Sequence, residues 1–178
     1  MYISERNKVR IIANGQLHIR VGSLQKPALS EGYKNATGTG SNFRNPHGMV
    51  CTANGDLYVC DTENHAIRKV AKFVNLGNGQ VVSTFAGAAP NANQTGTVGT
   101  SNGTGTVARF NNPTDITTYD SGAFYVTDRD NYTIRKISSA GVVSTLAGKA
   151  GTRGTSDGSG ASANFGSPYG VAIYNSNT

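Results

Sequence analysis

Residues 110–148 read FNNPTDITTYDSGAFYVTDRDNYTIRKISSAGVVSTLAG, and the same features recur elsewhere in the chain. Residues 43–87 read FRNPHGMVCTANGDLYVCDTENHAIRKVAKFVNLGNGQVVSTFAG. Phe, Asn-Pro, a Gly-containing turn, Tyr-Val-x-Asp, Asn, Ile-Arg-Lys, Val-Val-Ser-Thr and Ala-Gly return in the same order. Self-similarity of this kind marks a stack of one supersecondary unit. Inside each copy, short β-branched and aromatic runs alternate with Gly, Asn and Ser turns, which predicts four strands. They fall at 48–52, 57–60, 66–70 and 81–85, and again at 115–119, 123–127, 133–137 and 142–146.

Four antiparallel strands per repeat make the blade of a β-propeller, so the expected fold is all-β. Composition agrees: 178 residues, 37% of them hydrophobic, with 23 glycines, suit a turn-rich β protein with long loops. Successive Phe43, Phe110 and Phe165 are 67 and 55 positions apart, against roughly 40 to 50 for common propeller repeats. The excess is a glycine-rich connection ahead of each copy, plus an insertion at 71–79. These connections are regular: Gly96, Gly99, Asn102, Gly103, Gly105 and Ala108 before Phe110 match Gly151, Gly154, Asp157, Gly158, Gly160 and Ala163 before Phe165. Regular glycines predict ordered turns of fixed backbone shape. Residues 23–42 form the corresponding connection before Phe43.

The chain ends read as two parts of one blade. Residues 1–22 begin in mid-repeat, with Tyr2 aligned to Tyr58 and Tyr125 and Glu5 to Asp61 and Asp128, and are expected to supply strands two to four. Residues 165–178 supply a first strand and stop in the turn. Joined, SPYGVAIYNSNT and MYISE lie over 112–128 without a gap, Met1 falling on Phe124. The whole of 1–178 is thus one propeller segment of three blade-equivalents, with full blades at 43–87 and 110–148.

Asn-Pro-x-Gly, Leu-Tyr-Val-x-Asp-x-x-Asn-x-x-Ile-Arg-Lys-Val and Val-Ser-Thr-Phe-Ala-Gly together resemble the NHL-repeat family of β-propellers. The glycine-rich connections look like the inter-blade loops of its bacterial and extracellular members. Thr114-Asp115 departs from the pattern, where x-Gly is expected. The resemblance implies a closed ring, often of six blades. Three blade-equivalents do not close, so the expected partners are other copies of the chain or further blades of a longer one; an open arc capped by other chains is the third arrangement. Protein or glycan ligands would bind the displayed loops.

The signature polar residues have structural work to do. Asp61 and Asp128 stand seven positions before Arg68 and Arg135 and can reach them across neighbouring strands. Asn64 and Asn131 are expected to bond backbone in the loop between. A formal charge of +6 invites a nucleic-acid reading. The Lys and Arg are scattered, however, and no long basic run exists, so nucleic acid is not the expected partner, and RNA binding, known among NHL propellers, stays an alternative. No stretch approaches the roughly 18 apolar residues of a membrane span, and MYISERNKVRII lacks a signal-peptide core.

Catalytic motifs are missing: no phosphate loop, Gly-x-Ser-x-Gly elbow or His-Glu-x-x-His sequence occurs, and no cofactor or metal ligand set is expected. His47, Thr114 and Tyr169 hold one slot at the start of successive first strands, at one mouth of the channel. They are the candidate channel-mouth binding residues, and a metal-dependent lyase or hydrolase site there is the enzymatic alternative. Cys51 and Cys60 flank the Asn54-Gly55 turn on paired strands; a disulfide, if the register sets them opposite, and two free thiols at small apolar positions are both open. The sequons at Asn35, Asn93 and Asn102 are candidate glycosylation sites in a secreted protein, whereas Asn131 has a structural role. The expectation is a non-enzymatic, extracellular binding or assembly module.

Overall fold

The computed structural model describes residues 1–13, 16–22, 32–72, 80–89, 96–119 and 122–174, with the side chains of 13 and 17–20 set aside. It is all-β, with three antiparallel sheets and no α-helix among the described residues. The first sheet has three strands, β1 (Tyr2–Glu5), β2 (Lys8–Ala13) and β3 (Gln16–Gly22), in sequence order. A two-residue strand β4 (Ala36–Thr37) then leads to β5 (Pro46–Cys51), β6 (Leu57–Asp61), β7 (Ala66–Val70) and β8 (Val81–Ala86). The third group repeats it: β9 (Gly103–Thr104), β10 (Pro113–Tyr119), β11 (Ala123–Asp128), β12 (Thr133–Ile137) and β13 (Val142–Ala147).

The eight strands expected within the two repeats are present: β7 and β12 coincide with 66–70 and 133–137, the strand expected at 48–52 runs 46–51, and the others are longer by one or two residues. The second and third sheets also gain a fifth strand absent from the sequence reading: β4 pairs with β8, and β9 with β13. The glycine-rich connection thus covers the outer edge of the blade that follows it, which blunts an otherwise open edge. A 3-10 turn after each short strand places Gly105 between blades, its N–H donating to Gly141 O and its carbonyl accepting from Gly87 N.

Repeated irregularities aim side chains. In β7/β8 and β12/β13 the register slips by one residue beside Arg68 and Arg135, so Phe85 and Leu146 are the extra residues. A second slip interrupts β5/β6 between Pro46 and Met49 and β10/β11 between Pro113 and Asp115. Bulges bend a strand and redirect the residue they contain. Here those residues include His47 and Thr114.

The core lies between the sheets. β6 is buried along its whole length, unlike a strand with one wet face. Leu57 and Val59 pack with Val9, Val21, Phe43, Val70 and Val82 toward the first sheet. Tyr58 and Cys60 point the other way, onto Phe110, Ile116, Phe124 and Val126 of the third. Each such side chain contributes about 1.5–3 kcal/mol when fully buried. Gly87, at the end of β8, has φ +105°, and a Cβ there would stand 2.8 Å from Ala66 Cα; Gly22 and Gly148 end their sheets likewise.

Residues 163–174 follow the third sheet without forming a strand. They run beside β10 all the same: Val171 N–H donates to Asp115 Oδ2 at 3.0 Å and Thr114 Oγ1 to Tyr169 O at 2.9 Å. The strand expected within 165–178 is therefore laid in position but unpaired, and 175–178 lie outside the described residues.

Candidate functional site

Two sets of polar residues are candidates: the buried Asp-Asn-Arg groups and the residues at the start of the first strands. In the second sheet, Arg68 Nη1 donates to Asp61 Oδ2 at 2.6 Å, and both side chains are fully buried. Asp61 Oδ1 accepts Arg44 N–H, and Asn64 Nδ2 also donates to Oδ2. The guanidinium reaches on to Asn42 O, Lys34 O and Asn35 Oδ1, all in the preceding connection. The third sheet reproduces this: Asp128 accepts from Asn111 N–H, Asn131 Nδ2 and Arg135 Nη1, and Arg135 also donates to Arg109 O, Ser101 O and Asn102 Oδ1.

The Asp-Arg link expected from spacing is present. Asn64 and Asn131 differ from the expectation: instead of bonding backbone in their own loop, they donate to the Asp carboxylate and to Gly32 O and Gly99 O of the preceding connection. The reason is burial, which makes a carboxylate collect every nearby donor. Burial pushes the Asp128 carboxyl up to about 6, opposed by Asn111 N–H, Asn131 and the Arg135 guanidinium. Asp61 is raised by the same cause. Both carboxylate oxygens of each Asp and both terminal nitrogens of each Arg are engaged, while Arg68 Nε, Arg135 Nε and Asn64 Oδ1 are buried without a hydrogen-bond partner.

Sequence reasoning missed Tyr33, whose hydroxyl bonds Thr84 Oγ1 at 2.6 Å and whose ring lies 4.5 Å from the Arg68 Cζ. Burial pushes its phenol up to about 12. It stands outside the repeated motif, which is why spacing did not find it.

His47, Thr114 and Tyr169, which hold one slot of the repeat, come together. Tyr169 Oη and His47 Nδ1 are 2.8 Å apart, and their rings meet edge to face at 5.9 Å. Thr114 sits between them in sequence order, its hydroxyl 2.9 Å from Thr127 Oγ1 and bonded to Tyr169 O. Asp115, the residue that departs from the repeat, joins this group: its carboxylate accepts Ile116 N–H and Val171 N–H. A Cβ on Gly48 would overlap Asp115 Oδ1. The signal for Asp115 was available, since Gly48 and Gly170 hold its slot in the other copies. Tyr169 and His47 bond each other, Thr114 bonds Thr127, and the Asp115 carboxylate takes two backbone N–H groups, which ties residues 47, 114–115 and 169–171 together. Among the described residues no three His, Cys, Asp or Glu side chains assemble as a metal-binding group.

Cys51 and Cys60 are both free, one exposed and one buried. The register explains it: Cys51 stands opposite Leu57 and Cys60 opposite Ile67. Three positions of offset separate them by roughly 10 Å along the strand and put them on opposite faces, too far for a bridge. The disulfide reading is corrected accordingly.

Asn35 and Asn102 stand at the surface with their Oδ1 atoms on the guanidinium groups, so the sequons coincide with the framework. Asn93 lies outside the described residues. His65 accepts Asn112 N–H at Nδ1, 3.1 Å away, a contact from the second repeat to the third. No helix among the described residues is long and apolar enough to cross a membrane.

Comparison with known proteins agrees with this architecture. An auxiliary nutrient binding protein from Bacteroides ovatus ATCC 8483 superposes with a TM-score of 0.68 at 22% identity, over 96% of this chain and 39% of that one. A structural genomics protein of unknown function from Bacteroides thetaiotaomicron VPI-5482 gives 0.65 at 20% identity, over 95% and 38%. Another auxiliary nutrient binding protein, from the same B. thetaiotaomicron strain, gives 0.55 at 25% identity, over 81% and 34%. The chain spans less than two-fifths of the length of each of these structures. No curated protein matches. The teneurin NHL domain model matches residues 1–138, and with its repeats forming propeller blades, the chain belongs to the teneurin NHL domain family.

Proposed function

We propose that this chain is a non-enzymatic binding and assembly module, extracellular, whose blades form a rigid scaffold and whose Gly, Thr and Asn-rich loops meet the partner. One observation supports the assembly part: among the described residues β1 pairs only with β2, and residues 169–171 are held beside β10 without strand pairing of their own. Following the β10/β11 register, Pro168 would oppose Glu5, Val171 would oppose Ile3 and Ala172 would oppose Tyr2. The strand comes either from a second copy or from further blades of a longer polypeptide. Strand addition of this kind gains affinity from main-chain hydrogen bonds and specificity from alternate side chains.

The binding part rests on the engagement of the signature residues: Asp61, Asn64, Arg68 and their counterparts are spent inside the framework. A solved structure at 25% identity belongs to a nutrient binding protein, in keeping with a binding role for the fold.

Light scattering after size exclusion tests the assembly, comparing the 178-residue chain with one lacking 165–178. A dimer or ring lost on truncation supports pairing between copies; a monomer in both cases removes it. A turnover above buffer on amidated, lactone or phosphate substrates, lost in His47→Ala, would replace the non-enzymatic reading with the channel-mouth enzyme.

A further inference from the structure

We propose that the outer face of the third sheet receives the first sheet of a second copy of this chain, with Arg10 of that copy seated on the connection at 151–164. The proposal rests on the assembly reading above and gives it a surface and a set of contacts.

The junction between the second and third sheets supplies the pattern. There Tyr58, Ile67 and Ala86 of the second sheet are buried, with Phe85 beside them, against Phe124, Val126 and Ile137 of the third. The like residues of the third sheet are Tyr125, Ile134, Ala147 and Leu146. Each is more exposed than its counterpart, and Leu146 is 47% exposed. The same apolar face is built twice, and the second time it lies open.

The chain also carries the matching face. In the first sheet Tyr2 and Val9 pack toward the second sheet. Side chains alternate along a strand, so the β1/β2 register puts Met1, Ile3, Arg10 and Ile12 on the opposite face. With Tyr2 in the slot of Tyr125, Met1 and Ile3 hold those of Phe124 and Val126. Ile12 exchanges backbone hydrogen bonds with Met1 and holds the slot of Ile137, which pairs with Phe124. Met1 is 73% exposed. The two open faces therefore bear the two halves of one junction, the arrangement of a head-to-tail contact between copies.

Charge selects the same fit. Arg68 reaches back to Lys34 O, Asn42 O and Asn35 Oδ1, and Arg135 to Ser101 O, Arg109 O and Asn102 Oδ1. Arg10 stands in their slot, yet among the described residues it bonds only Glu5, at 3.0 Å. The like groups in the next connection are Ser156 O, Asn164 O and the Asp157 side chain. Asn164 N–H donates to Ser156 O just as Arg109 N–H donates to Ser101 O, so this connection has the shape of the one before it. Asp157 is exposed and has no hydrogen-bond or ionic partner among the described residues. A carboxylate thus replaces asparagine at the one connection whose arginine must come from elsewhere, and guanidinium on carboxylate is the stronger, charge-assisted bond.

Light scattering of the full 178-residue chain over a concentration series, on protein from bacterial expression, measures the dimer Kd. Asp157→Arg and Leu146→Asp, both at exposed sites, should each weaken the dimer by roughly tenfold or more. Asp157→Asn, which installs the residue of the other two connections, should retain it, as should Val81→Asp at a 56% exposed site on the second sheet. A native dimer indifferent to Asp157→Arg and Leu146→Asp overturns this surface while leaving the assembly reading intact. A native chain that stays monomeric overturns both and assigns the open face to blades of a longer polypeptide. Equal weakening by Val81→Asp would reduce the effect to unspecific charge and overturn the proposal as well.

Discussion

Replacing Arg135 by Met isolates the buried framework. The side chain is 1% exposed, and its guanidinium supplies Asp128, Arg109 O, Ser101 O and Asn102 Oδ1 with their donors. Methionine fills similar volume but donates nothing. Asp128 would keep only Asn111 N–H and Asn131 Nδ2. Removing one member of a buried ion pair costs about 3–5 kcal/mol, a large share of the 5–15 kcal/mol that stabilises a typical domain. The pH dependence should change as well. The native Asp128 carboxyl is already raised to about 6 from 3.8, and loss of Arg135 raises it further. A raised folded value means that the folded state binds more protons, so the stability this group contributes is full below 3.8 and is lost as pH rises through the folded value. In Arg135→Met that loss extends to higher pH than in the native chain. Urea unfolding across pH 4–8 measures both effects, and Asp128→Asn combined with Arg135→Met should recover part of the loss by removing the stranded charge. A cost under about 1 kcal/mol, the level of an exposed ion pair, or an unchanged pH profile, would refute the reasoning.

Gly48→Ala should destabilise the chain by roughly 1–3 kcal/mol, because a Cβ there would stand 2.6 Å from Asp115 Cα and 2.8 Å from Thr114 O as well as overlapping the Asp115 carboxylate; as two of these atoms are backbone, Asp115→Gly in the same chain should restore little of the loss, and full recovery would count against the backbone clash. His65 is held below its ordinary value by burial and by Arg44, against the opposing pull of Asp130 and Glu63. A depressed histidine keeps its stabilising contribution above the unfolded value of 6.5 and loses it as pH falls toward the folded one. His65→Asn, which tolerates the left-handed backbone at φ 53°, should flatten that slope in thermal melts; an unchanged slope would assign it elsewhere. In native protein iodoacetamide should add one label, at Cys51, because Cys60 is buried and its thiol is pushed up by burial; two labels before unfolding would show that the inter-blade core opens.

The blade strands and the Asp-Arg links were legible in the sequence because they are local or periodic. Tyr-Val-x-Asp and Ile-Arg-Lys occur twice at one spacing, and spacing alone brings Asp61 to Arg68 and Asp128 to Arg135. His47, Thr114 and Tyr169 were legible as a slot for the same reason, since repeats stack like positions together. Whether a partner across strands or between repeats is reached depended on register and on departures from periodicity, and these only the tertiary structure decided. The β5/β6 register sets Cys51 opposite Leu57, three positions from Cys60, and leaves both thiols free. The glycine-rich connections become edge strands, and their carbonyls receive Arg68 and Arg135, because burial of a guanidinium demands acceptors that no motif lists. Asp115 reaches Val171 only because the next repeat is packed beside it. Sequence determined what each blade is made of; packing between blades determined which of its polar atoms are left to meet a ligand.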